Sequence, residues 1–145
     1  MAMTSPLPCV CTALRKASRA ITRRYDEQLA QSGMTTPQFA LLRTLDREGD
    51  LPLSRLADLQ VMDRTSLYRT LAPLERHGWV LVSQGKSGRT KLAALTPAGH
   101  TAMEQAAEAW ADVQDEIVGA IGPDAWQALE TQLRALAQLP KSRAD

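Results

Sequence analysis

Cys9 and Cys11 stand one residue apart in "PCVCTAL" and are the chain's two thiols. Residues two apart on a helix point about 200° away from each other, so a disulfide between them is disfavoured there. A Cys-x-Cys pair supplies too few ligands to define a metal site. His77 and His100 have no clustered partners in the sequence, so no metal and no cofactor is expected. No carboxylate pair, glycine-rich phosphate loop or Ser-His-Asp arrangement stands out, and no catalytic residue is expected. A thiol redox enzyme using the two cysteines is the poorer reading, because neither a Cys-x-x-Cys nor a βαβ pattern is present.

The other chemistry is cationic. Residues 1–49 hold 7 Lys/Arg against 4 Asp/Glu, and residues 50–96 again hold 7 against 4. Residues 97–145 hold 3 against 8, so a net charge of +1 hides a basic front and an acidic tail. Such asymmetry lets one face meet a polyanion. A length of 145 residues fits one domain with a real core. There is no apolar run of about 18 residues and no secretory pattern. A cytoplasmic, membrane-free protein is expected, and a reducing compartment makes a structural disulfide unfavourable.

The elements that must position these groups follow from periodicity and punctuation. Pro6 and Pro8 precede a first helix whose one face carries Leu14, Ser18, Ile21, Tyr25 and Leu29, ending near Gly33. In "MTTPQFALLRTLDREGD", Thr36 is the expected cap, Pro37 the first helical residue and Gly49 the stop. "LPLSRLADLQ" reads as a short helix. "DRTSLYRTLAPLERHG" reads as another, capped by Asp63 and stopped by Gly78, with Leu67, Leu71 and Leu74 inward. "WVLVS" and "TKLAAL" read as strands joined by a "QGKSG" turn. Thr96-Pro97 opens a long helix, and Gly122-Pro123 separates it from the last. Trp110, Trp126, Leu129, Leu133 and Leu136 are expected in the core or an interface. The fold class is mostly α with a small β-hairpin wing: a winged helix-turn-helix with additional N- and C-terminal helices.

The helix after Asp63 is the candidate reader of a nucleic acid. Thr65, Ser66, Arg69 and Arg76 point largely away from its core stripe, and Tyr68 borders that face. A helix enters the major groove, where arginine donates two bonds to guanine. Arg64 lies nearer the core flank and is given phosphate or salt-bridge duty. The wing supplies Lys86, Arg89 and Lys91 for the minor groove or backbone.

"LSRLADLQVMDRTSLYRTLAPLERHGWV" and "LTPAGH" resemble the helix-turn-helix and the post-wing step of the MarR family, and the resemblance spans nearly the whole chain. It implies a transcriptional regulator, often a repressor, acting as a homodimer on palindromic double-stranded DNA and released by small molecules or oxidation. Residues 1–145 would be one MarR-like domain. Within it, 34–96 would form the DNA-binding lobe, and 7–33 with 97–140 the dimerisation helices. Three departures are visible. Val61 stands near a turn that often carries glycine. Ser87-Gly88-Arg89 replaces the family's Asp-x-Arg at the wing tip, keeping the arginine but implying a looser tip. Pro73 interrupts the recognition helix and is expected to bend it.

The resemblance also implies an effector cleft between the dimer helices and the DNA lobe, taking small aromatic acids or phenols. Arg15, Arg19 and Tyr25 are candidates to face it. In the family's branch that senses organic hydroperoxides, Cys11 falls on the reactive cysteine and Tyr25 on a tyrosine that bonds its thiolate. The other tyrosine is replaced by Arg15, a cation that favours thiolate. Cys11 as a small buried core thiol remains the alternative. A helical dimer that binds a protein partner without DNA is the alternative function.

Overall fold

The computed structural model describes residues 7–140. Helix α1 runs Val10–Leu29 and tightens into a 3-10 turn at Ala30–Ser32, closed by Gly33 in the left-handed region. Helix α2 (Thr36–Glu48), strand β1 (Leu51–Pro52), helix α3 (Leu53–Gln60) and helix α4 (Arg64–Arg76) follow. Strands β2 (Val80–Gln84) and β3 (Lys91–Leu95) then lead into α5 (Pro97–Ile121) and α6 (Pro123–Ala137). The three strands form one antiparallel sheet, ordered β1-β3-β2, with Ala93 opposite both Leu51 and Val82.

The expected winged-helix architecture is present, with local corrections. The sheet has a third strand. Two residues ending in proline carry no alternation signal, and β1 exists only because β3 pairs with it; proline is tolerated at such an edge. The cap of α2 is Thr35 rather than Thr36. The Gln38 amide donates to the Thr35 hydroxyl at 3.4 Å, and the Thr35 amide donates to Gln38 Oε1 at 3.0 Å, a reciprocal capping box. Thr36 instead ties α2 to α1, donating from its amide and hydroxyl to Asp26 Oδ1 at 2.7 and 2.6 Å.

Val61 closes α3 in the left-handed region at φ 52°, the one non-glycine with positive φ among the described residues. A β-branched side chain there is strained. The helical backbone of α4 continues through Pro73 to Arg76, so residues before and after the proline belong to one helix.

The core collects Leu41, Leu42, Leu45, Leu56, Leu67, Leu71 and Leu74 from α2, α3 and α4, all nearly inaccessible. Tyr25 and Leu29 of α1 and Met103, Ala106 and Val113 of α5 close over them. At the junction of wing and α5, the Thr96 hydroxyl donates to the Gly78 carbonyl at 2.6 Å and accepts from the Gly99 amide at 3.0 Å. A Cβ on Gly99 would lie 2.1 Å from the Trp79 carbonyl oxygen. Only glycine lets α5 start this close to β2.

The outer helices differ. Residues 7–21 are all exposed, and α6 buries none of its residues. Leu14 and Ile21 continue the stripe of Tyr25 and Leu29 into solvent. Cys11 is exposed, so the buried-thiol alternative does not hold within one chain; the first half of α1 extends past the core that would cover it. Trp110 packs on Phe39 with ring centroids 6.1 Å apart, and Leu129 and Leu136 are exposed.

Candidate nucleic-acid interface

Local sequence sets the start of α4. Asp63 accepts from the Ser66 amide at 2.8 Å, and the Ser66 hydroxyl donates back to Asp63 Oδ2 at 3.0 Å. The Ser66 amide first, and then its hydroxyl, hold the Asp63 carboxyl below the usual carboxylate range. Ser66 therefore spends its hydroxyl proton on the cap and has none free for a base. Thr65, Arg69 and Arg76 are exposed and share a side of the helix, with half-exposed Tyr68 beside them.

The wing is closed by its own backbone. The Gly85 amide donates to the Thr90 carbonyl and the Gly88 amide to the Gly85 carbonyl, at 2.5 and 2.9 Å. These backbone bonds close the hairpin turn across the tip, where Ser87 stands in place of the family's aspartate. A Cβ on Gly85 would meet the Thr90 oxygen at 2.8 Å, which explains glycine there. Lys86, Arg89 and Lys91 are all exposed.

Between α3, α4 and the wing lies a groove of about 280 Å³. Its floor is Leu53 and Leu67; Ser54, Arg64 and Tyr68 form one wall and Arg89, Thr90 and Lys91 the other. The structure thus brings Tyr68, Arg89 and Lys91 together, while Thr65, Arg69, Arg76 and Lys86 lie outside this groove. Ser54, Arg64 and Thr90 are additions. Arg64 was legible as a flank position; Ser54 and Thr90 join only through the approach of separate elements.

The expected effector residues are not brought together in one chain. Ten residues separate Arg15 from Tyr25 on one helix and fourteen separate Cys11 from Tyr25, about 15 and 21 Å along the axis. Tyr25 donates its hydroxyl to Gln114 Oε1 at 2.5 Å, and burial raises its pKa, with the Arg43 cation opposing. The Arg43 guanidinium sits 4.3 Å from the Trp110 ring centroid, a cation–π contact joining α2 to α5. Arg15 and Arg19 flank a shallow open depression with Leu14 and Ser18. Of the two thiols, Cys9 precedes the first turn of α1. The Thr12 amide, and next its hydroxyl, lower the Cys9 pKa. Among the described residues no cluster of three or more His, Cys, Asp or Glu could hold a metal ion. No helix there is long and apolar enough to cross a membrane.

A capped helix next to a three-stranded wing, with cations on both, defines a winged-helix protein. The MarR family model matches residues 34–89. The DNA-bound crystal structure of the transcriptional regulator MosR from M. tuberculosis is 32% identical, with a TM-score of 0.82 over 90% of this chain and 95% of that one. The chain belongs to the MarR family of winged-helix transcriptional regulators. It is also similar to NadR, solved in complex with 4-hydroxyphenylacetate, at 26% identity and a TM-score of 0.79, covering 97% of this chain and all of that one. An uncharacterised helix-turn-helix regulator, YwoH of Bacillus subtilis, is 29% identical over 83 residues, which is 57% of this chain and 61% of that protein.

Proposed function

We propose that this chain is a sequence-specific DNA-binding regulator, a repressor that acts as a homodimer on a palindromic operator and not as an enzyme. Residues 34–96 serve as the DNA-binding lobe, and residues 7–33 and 97–140 as the dimerisation helices. The observation that carries the reading is the exposed row of Thr65, Arg69 and Arg76 on a capped helix, set beside the cationic wing. Thr65 and Arg69 of the row enter the major groove, Arg76 meets a phosphate, Tyr68 contacts a sugar or thymine methyl, and Ser66 fixes the helix start. Lys86, Arg89 and Lys91 meet the backbone or minor groove. Similarity to a DNA-bound regulator at 32% identity supports it.

The homodimer is supported by the uncovered apolar face of α1 and α6. Two lobes related by a two-fold axis would meet half-sites about 34 Å apart.

Release follows a small-molecule or oxidative signal. Similarity to a regulator solved with a phenolic acid supports an aromatic ligand; because Arg15 and Tyr25 lie far apart in one chain, its cleft forms between the two protomers. For oxidation, an organic hydroperoxide takes the Cys11 thiol to a sulfenic acid and leaves as the alcohol. A thiol of the partner subunit or of a small molecule then condenses with it and releases water, giving an intersubunit or mixed disulfide.

The decisive experiment selects bound duplexes from a random pool, with and without hydroperoxide or aromatic acids. Wild-type protein should enrich a palindrome. Arg69→Ala combined with Arg89→Ala should weaken binding to it at least a hundredfold by fluorescence anisotropy. Unchanged binding by that variant would remove the site assignment.

A further inference from the structure

We propose that the groove between α3, α4 and the wing is the seat of one DNA backbone phosphate, to which Ser54 is a further ligand beside the flank residue Arg64. The inference rests on the DNA-binding reading above and assigns this groove a separate task within it.

The charges favour an anion. Arg64, Arg89 and Lys91 converge on one groove whose lining contains no carboxylate, and none of the three takes part in an ion pair among the described residues. Like charges gathered without a counterion repel, and the apolar floor of Leu53 and Leu67 lowers the screening between them. Ser54 from α3 and Thr90 from the wing add hydroxyl-bearing residues to the lining. Ser54 is also in the first turn of α3, whose N-terminal amides no side chain caps, so that end of the helix dipole is open to an acceptor.

The position on the helix selects phosphate over base. With about 100° per residue, Thr65, Arg69 and Arg76 cluster within roughly 40° of arc. Arg64 and Tyr68 lie about 60–100° to one side of that arc, between it and the core stripe of Leu67, Leu71 and Leu74. A helix that points its row at base edges has sugar–phosphate walls at its flanks. The flank that carries Arg64 is the one the wing approaches, so one strand's backbone meets both walls of the groove. An arginine held there by α4 and a lysine held there by β3 grip the phosphate from two elements. The groove thereby fixes how far the wing sits from the recognition helix on DNA.

The test uses the full-length protein and its selected operator. Affinity is measured over a salt series for wild type, Arg64→Gln and Ser54→Ala, on operator and on scrambled duplex. Arg64→Gln should weaken binding about tenfold on both duplexes, and the slope of log affinity against log salt should fall by about one. Ser54→Ala should weaken both severalfold with little change of slope. A panel of operators, each with one phosphate replaced by neutral methylphosphonate, locates the seat. One position should weaken wild type and leave Arg64→Gln unaffected. A loss confined to the operator, an unchanged salt slope, or additive losses at every methylphosphonate position would each overturn the proposal. Absence of any duplex binding by wild type at low salt would instead overturn the DNA-binding reading itself. Arg64 is exposed, and circular dichroism with thermal melting verifies that the variants fold.

Discussion

The lobe from α2 to β3 and the terminal helices α1 and α6 are built from similarly amphipathic sequence, yet only the lobe is finished. Its helices bury leucines on every inward turn, and α2 and α4 carry side-chain caps. The first half of α1 and one side of α6 leave apolar residues, Leu14, Ile21, Leu129 and Leu136, uncovered by the described residues. Burying one leucine stabilises by roughly 2 kcal/mol, so a row of exposed ones is a cost that a second copy would remove. In the proposed function the two parts divide the work: the lobe presents the DNA-contacting residues, and the terminal helices complete their packing by association.

This contrast can be broken in order of effect. Leu14→Glu with Leu129→Glu should leave the lobe folded but convert a dimer to monomer in light scattering, with more than a hundredfold loss of operator affinity. A monomeric wild type at micromolar concentration would remove the contrast altogether. Gly99→Ala attacks the joint between the two parts. It should destabilise by on the order of 3 kcal/mol, because the new methyl overpacks against the Trp79 carbonyl. The readout is thermal melting, and a variant as stable as wild type would show that the joint is compliant.

Smaller effects sharpen the contrast. Asp63 has its carboxyl pKa lowered by the Ser66 amide and hydroxyl. Its contribution is therefore fully present above the ordinary carboxylate value, about 3.9, and is lost as pH falls through the lower folded value. The melting difference between wild type and Asp63→Ala should be largest above pH 5 and shrink in acid. A pH-independent difference would mean that the charge is not involved. Last, the Cys9 thiol, lowered by Thr12, should be alkylated by iodoacetamide at neutral pH faster than a free cysteine. Cys9→Ser should remove that fast phase, and its persistence in the variant would assign it to Cys11.

The residues divide in the same way. The inward leucines of α4, the Asp63 and Thr96 caps and the Gly49 stop were legible, because each is dictated by contacts within one turn of helix. The strained conformation of Val61 was legible as a departure from glycine at a known kind of turn. The cap at Thr35 was missed by one residue, since two adjacent threonines are equivalent until Asp26 of another helix claims the second. Strand β1 was missed because its partners are backbone groups about forty residues away in β3.

By itself, the sequence determined the order of elements, the winged-helix class and the exposed cationic row, because periodicity and capping are local. The tertiary structure decided which cations share a groove, that Arg64 faces the wing, and that Tyr25 bonds Gln114 while lying far from Cys11 in its own chain. Those pairings depend on how separate helices approach one another, and no spacing along the chain encodes that distance.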